Sequence, residues 1–161
     1  MGREIERKFL VNDDSWRAAA QGTAMRQGYL CTEPDRTVRV RLAGDQAWMT
    51  VKGRNVGFTR AEFEWSIPPA DALELLETLC LRPQIEKVRY RIEHAGRIWE
   101  VDEFSGENAG LVVAEVELPS EDASVVKPPW VGQEVTGDAR YGNSSLVARP
   151  FNTWSDASLP G

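Results

Sequence analysis

The sequence predicts an α+β protein built mainly of antiparallel strands with a few helices. Three observations carry that prediction. Charged and apolar residues alternate with a period of two through roughly eight segments between residues 3 and 118. Turn residues such as Glu33-Pro34-Asp35, Ala43-Gly44-Asp45-Gln46 and Ala95-Gly96 separate the segments. One stretch, residues 70–81, carries strong helical spacing.

Residues 3–11 form the first strand. Successive side chains of a strand point to opposite faces, so Glu4, Glu6 and Lys8 share one face and Ile5, Arg7, Phe9 and Val11 the other. Glutamates two apart stand about 6–7 Å from each other along a strand, close enough to share a cation. Asp13-Asp14-Ser15 caps a short helix through Trp16 and Ala20. Residues 25–31 alternate again, with Gln27, Tyr29 and Cys31 on one face. Residues 37–42 bring Arg39 and Arg41 together, and residues 47–54 bring Trp48, Thr50, Lys52 and Arg54 together. Residues 58–67 place Arg60, Glu62, Glu64 and Ser66 on one face, and Pro68-Pro69 stops the strand.

The helix over 70–81 gathers Leu73, Leu76, Leu79 and Cys80 on one stripe, which must pack on the sheet. Residues 85–94 set Lys87, Arg89 and Arg91 against Val88, Tyr90 and Ile92. Residues 97–104 carry Glu100 and Asp102 on one face, and residues 111–118 alternate Glu115 and Glu117 with Ala114, Val116 and Leu118. After Pro119 the pattern loosens. Ser120-Glu121-Asp122 opens a short helix, Pro128-Pro129-Trp130 is extended, and residues 140–147 form a helical turn or two. Residues 1–150 read as a single domain and residues 151–161 as a weakly ordered tail.

Composition excludes several classes. A chain of 161 residues with 42% hydrophobic and 27% charged residues suits one globular domain. No apolar run is long enough to span a bilayer. Met1-Gly2-Arg3-Glu4 leads straight into a charged strand, so no signal peptide is expected, and Cys31 and Cys80 are expected to be free thiols in a cytoplasm. His94 is the only histidine, which disfavours His-ligated zinc and His-based triads. A net charge of −6 repels nucleic acid, so neither nucleic acid nor a membrane is an expected partner. A homodimer remains a candidate assembly.

The charged faces, pooled, contain both signs. Two arrangements accommodate them. In one, an open sheet turns its charges to water and its apolar face to a core. In the other, the strands close into a barrel with a charged lumen and an apolar outside covered by helices; about eight strands suffice for closure. A charged lumen must hold water, metal and a charged ligand, because each buried ion costs several kcal/mol unless well partnered. Grouped carboxylates call for a hard cation such as Mg²⁺ or Mn²⁺, and grouped arginines and lysines call for phosphate. Together they describe a metal-bound polyphosphate. Among the aromatic residues, Trp65, Trp99 and Trp130 read as packing, whereas Trp48 alternates onto the charged face.

Glu4-Ile5-Glu6-Arg7-Lys8 resembles the ExExK signature of the CYTH domain, the triphosphate tunnel metalloenzyme family. Arg39-Val40-Arg41, Thr50-Val51-Lys52-Gly53, Glu62-Phe63-Glu64, Lys87-Val88-Arg89-Tyr90, Glu100-Val101-Asp102 and Ala114-Glu115-Val116-Glu117 follow in the family's order. The chain is most similar to the short bacterial members, which tend to be inorganic triphosphatases. The resemblance implies a closed, eight-stranded, tunnel-like antiparallel barrel with a few covering helices. It also implies metal-dependent hydrolysis of inorganic triphosphate in the tunnel, with Mg²⁺ or Mn²⁺ as cofactor. Glu4, Glu6 and Glu117 would hold the bridging metal, and Asp102 and Glu115 a second metal or its waters. Lys8, Arg39, Arg41, Lys52, Lys87 and Arg89 would clamp phosphate oxygens. Glu62 and Glu64 would orient the basic residues. Tyr29 and Lys87 are the candidates for handling a proton. The alternatives are a nucleoside or thiamine triphosphatase, an adenylate cyclase of the same family, and a non-catalytic polyphosphate binder.

Overall fold

The computed structural model describes residues 2–19 and 21–154. Ten strands and two α-helices lie among the described residues. In chain order they are β1 (Glu4–Val11), β2 (Gly22–Glu33), β3 (Arg36–Ala43), β4 (Gln46–Gly53), β5 (Thr59–Arg60), β6 (Glu62–Ser66), α1 (Pro69–Thr78), β7 (Ile85–His94), β8 (Arg97–Phe104), β9 (Val112–Glu117), β10 (Val131–Glu134) and α2 (Asn143–Ala148). All strand pairings are antiparallel, in the order β10-β1-β9-β8-β7-β2-β3-β4-β6, with β5 paired to β1 beside that path. The α+β, mainly antiparallel expectation holds. The hydrogen-bonded ladder does not run in a closed ring, since β6 pairs with β4 and only the two-residue β5 pairs with β1. The expected strand over 58–67 is interrupted at Ala61, and β10 replaces part of a segment expected to lack strands.

Turn chemistry sets the hairpins. The β3–β4 link is two residues with Gly44 at φ +61°, and the β7–β8 link is Ala95-Gly96 with both residues at positive φ, the conformations that match strand twist in two-residue hairpins. At β2 a bulge between Tyr29 and Cys31 shifts the register: Tyr29 faces Arg39, but Cys31 faces Val38. The extra residue moves Cys31 to the face opposite Tyr29, against the strict alternation expected over 25–31.

Three apolar clusters organise the packing. The first joins Phe9, Trp99, Val101 and Val116 with Trp16 and Trp130 over the outer face of β1, β8 and β9. The second lies under α1 and contains Val40, Ala47, Ala72, Leu76 and Cys80. Gly28 permits that approach, because a Cβ there would stand 2.8 Å from Cys80 Cβ and 2.9 Å from Leu76 Cδ2. The buried stripe of α1 is Ala72 and Leu76 followed by Cys80, whereas Leu73 and Leu79 are 45% and 65% exposed. The helix ends at Thr78, so Leu79 has left its register and the expected stripe is rotated. Trp99 and Trp130 are buried as expected, but Trp65 is 55% exposed on the sheet's edge strand.

The third cluster differs in placement. It joins Tyr29, Ile85, Phe104, Val113 and Val135 with Tyr141, Leu146 and Val147. Phe104 is the cross-strand partner of Lys87, and Val113 is that of Asp102, and cross-strand partners share a face. This cluster therefore sits on the charged face, and α2 lies against that face rather than on the outside. Phe151 and Trp154 also pack here, and Phe151 N–H donates to Asn108 Oδ1 at 2.8 Å. The start of the expected tail is thus attached, while residues 155–161 lie outside the described residues.

Candidate active site

The concave, charged face of the sheet surrounds a cavity of about 260 Å³. Its lining comes from β1 through β9 and from the start of α2. Strand alternation explains the composition: Glu6 faces Glu117, Lys8 faces Glu115, and Glu100 faces both Arg91 and Glu115 across neighbouring strands. Two further spaces adjoin it. One, of about 290 Å³, shares Glu4, Glu6, Lys8 and Arg60 and is edged by Thr32, Arg54 and Phe58. The other, of about 280 Å³, shares Arg41, Glu64, Arg89 and Glu100 and is edged by Met25, Trp48 and Arg91.

The basic side is held in place by neighbours. Lys87 is buried and its ammonium stands 2.8 Å from Asp102 Oδ2. Arg89 donates to Asp102 twice, from Nε at 2.7 Å and Nη2 at 2.9 Å, and lies 3.3 Å from Glu100 and 3.8 Å from Glu115. Arg39 donates to Thr50 Oγ1 at 3.2 Å and stands 3.7 Å from Glu64, while its buried Nε has no partner among the described residues. Arg41 has an amide partner: its Nε donates to Gln27 Oε1 at 2.9 Å. Lys52 reaches Glu4 at 2.9 Å and Glu62 at 3.6 Å.

The electrostatics favour a bound anion on this side. Burial pushes the Arg41 guanidinium down to about 9, and Arg39 and Arg89 push the same way. Burial also pushes the Lys87 ammonium down, to about 7, aided by Arg89 and Arg41 against the pull of Asp102. Anionic oxygens would relieve both groups and accept from Arg39 Nε.

The acidic side is crowded in the opposite sense. Burial pushes the Glu6 carboxyl well above its ordinary value, with Glu115 and Glu4 adding to the effect. Glu117 is raised by burial and by Glu4, Glu62 and Glu100, and Glu62 by burial and Glu4. Burial would raise Glu115 too, but Lys8 and Arg89 prevail and hold it down to about 2. Carboxylates that repel one another in this way suit a divalent cation, and oxygen donors suit a hard one. Among the described residues no three acidic, histidine or cysteine side chains already stand as a metal cage, so the rotamers of Glu4, Glu6 and Glu117 would have to close on an ion.

Of the residues expected at the site, Glu4, Glu6, Lys8, Tyr29, Arg39, Arg41, Lys52, Lys87, Arg89, Glu115 and Glu117 line the cavity. Asp102 does not. It is fully buried behind the wall, its oxygens engaged by Lys87 and Arg89. Arg54 pairs with Asp35 at the surface, and Arg91 is exposed beside Glu100. Arg60 and the α2 residues Asn143 and Ser144 also line the cavity. Arg60 alternates in phase with Glu62 and Glu64, a signal the sequence did carry. Asn143 had none, because a single amide at the start of a short helical stretch has no period.

The sequence and the fold both match known proteins. The CYTH domain model matches residues 2–151. An inorganic triphosphatase of Acetivibrio thermocellus is 51% identical over 156 residues, covering 97% of this chain and all of that protein. An inorganic triphosphatase of Nitrosomonas europaea is 39% identical over 148 residues, covering 89% of this chain and 96% of that protein. A crystal structure of an inorganic triphosphatase superposes with a TM-score of 0.62 at 36% identity, covering 89% of this chain and 96% of the other. The chain belongs to the CYTH domain family.

Proposed function

We propose that the protein is a divalent-metal-dependent hydrolase of inorganic triphosphate, and that the curled sheet works as a tunnel around it. The observation that carries this reading is the side-by-side placement of a repelling carboxylate group and under-partnered guanidinium groups around one cavity. Supporting the tunnel form, Glu6 N–H donates to Phe58 O and Glu62 N–H to Gly2 O, each at 3.2 Å, which draws the β5–β6 segment against β1. The triphosphatase identity of both relatives supports the substrate. Two free cysteines, Cys31 and Cys80, fit a cytoplasmic location.

Catalysis in this reading is mainly electrostatic. A triphosphate spreads charge over its oxygens, and fixed cations lower the barrier where that charge grows. Lys8, Arg39, Arg41, Lys52, Lys87 and Arg89 hold the phosphate oxygens. Glu4, Glu6 and Glu117, with Glu115 beside them, hold Mg²⁺ or Mn²⁺, which when bound supplies Lewis-acid polarisation of phosphate and water. Asp102 acts behind the wall, orienting Lys87 and Arg89. Lys87 and Tyr29 handle the proton; an amine whose affinity is lowered toward neutrality can exchange one at working pH.

Phosphate release from inorganic, nucleoside and thiamine triphosphates tests the reading, each with Mg²⁺ or Mn²⁺ and again in excess chelator. Inorganic triphosphate is expected to be the best substrate, with turnover abolished by the chelator. Equal turnover in the chelator would overturn the metal requirement, and a preference for an organic triphosphate would overturn the substrate.

A further inference from the structure

The side-chain carbonyl of Asn143 is the point where α2 meets the basic wall. Asn143 Oδ1 accepts from Lys87 Nζ at 3.0 Å and from Gln27 Nε2 at 3.0 Å. Gln27, fully buried, uses its own carbonyl to accept from Arg41 Nε at 2.9 Å. Two amides thus connect two cations whose motifs lie on different strands. The arrangement has one polarity: each carbonyl oxygen faces a cation, and the Gln27 NH₂ fills the gap between the two carbonyls.

Lysine ammonium has three donors. At Lys87 one goes to Asp102 and one to Asn143, which leaves one for the cavity that Lys87 lines. We propose that Asn143 is a positioning residue, which together with Gln27 fixes Lys87 and Arg41 so that their remaining donors point at the phosphate oxygens. The proposal rests on the triphosphate reading of the cavity. Without Asn143, Lys87 keeps its charge and its contact with Asp102 but can swing about that single anchor. The seat of Asn143 is itself braced: Leu146 and Val147, one turn on, are buried in the cluster on the charged face. The short α2 therefore contributes to the basic wall through a polar side chain, Asn143, that its apolar residues hold in place.

A double-mutant cycle separates this from a merely structural role. The probe is inorganic triphosphate, its affinity measured calorimetrically in excess chelator for the parent, Asn143→Ala, Lys87→Met and the double variant. Asn143→Ala is expected to weaken affinity about three- to tenfold in the parent and less than about 1.5-fold when Lys87 is already gone. With Mg²⁺ present, Asn143→Ala is expected to lower kcat more than it raises KM, because aim matters most as charge develops. Gln27→Met, which preserves volume and removes the amide, is the second probe; it should be coupled in the same way to Arg41→Ala. Equal losses in both backgrounds, or no loss in the parent, overturn the proposal, whichever probe folds better. Failure of the triphosphatase reading looks different: the parent would not turn over triphosphate with any divalent metal, while the binding cycle would still report the coupling.

Discussion

The two helices of this protein teach different lessons. α1 has ten residues, begins at Pro69 and buries Ala72 and Leu76 against the outer face of β3 and β4. α2 has six residues and buries Leu146 and Val147 against the inner, charged face. No residue of the longer helix lines the cavity, while the shorter one presents Asn143 and Ser144 to it. Length and periodicity mark what stabilises the sheet. Of the two helices, the one with the weaker periodic signal is the one that lines the cavity.

Substitutions can break or sharpen that contrast. The largest effect is expected at the inner face. Lys87→Met should lower kcat about 10²–10⁴-fold, the usual range for a lost proton-handling group, as measured by phosphate release. Next comes the outer helix: Leu76→Ala should cost about 2–5 kcal/mol of stability in denaturant melts, while kcat of the folded fraction stays within about twofold. A tenfold loss of kcat there would mean that the outer cover shapes the site. Tyr29→Phe should keep the melting curve, because ring volume is preserved, and lower kcat about 10²-fold; a change under about twofold would move the proton entirely to Lys87 or to water. The smallest effect is expected at Arg41→Ala, where loss of a charge-assisted bond worth about 1.5–3 kcal/mol should weaken triphosphate affinity about tenfold or more.

Much of the site was legible because strand alternation is a strict geometric rule. Glu4, Glu6 and Lys8, Arg39 and Arg41, or Lys87 and Arg89 share a face wherever the strand runs without a bulge. The reading failed where that rule is interrupted. The bulge after Tyr29 turned Cys31 away, because the sequence has no mark for one extra residue opposite Val38. Asp102 was legible as an inward carboxylate but not as one engaged by two cations, since pairing depends on which strand lies alongside. The apolar residues Phe104 and Val113 carried no signal of their own, and only their cross-strand partners put them on the charged face under α2. The expected closed barrel is not met by a ring of hydrogen-bonded strands: the β5–β6 segment approaches β1 only through the two residues of β5 and backbone contacts such as that of Glu62 with Gly2, which no alternation marks.

The most direct test of the account is a crystal structure of the protein with inorganic triphosphate and Mn²⁺. The account predicts phosphate oxygens on Arg39, Arg41 and Lys87, Mn²⁺ on Glu4, Glu6 and Glu117, and the Asn143 contact to Lys87 retained. Triphosphate bound outside the cavity, for instance in the surface groove between Arg26, Arg82 and Gln84, with no metal on those three glutamates, would contradict it.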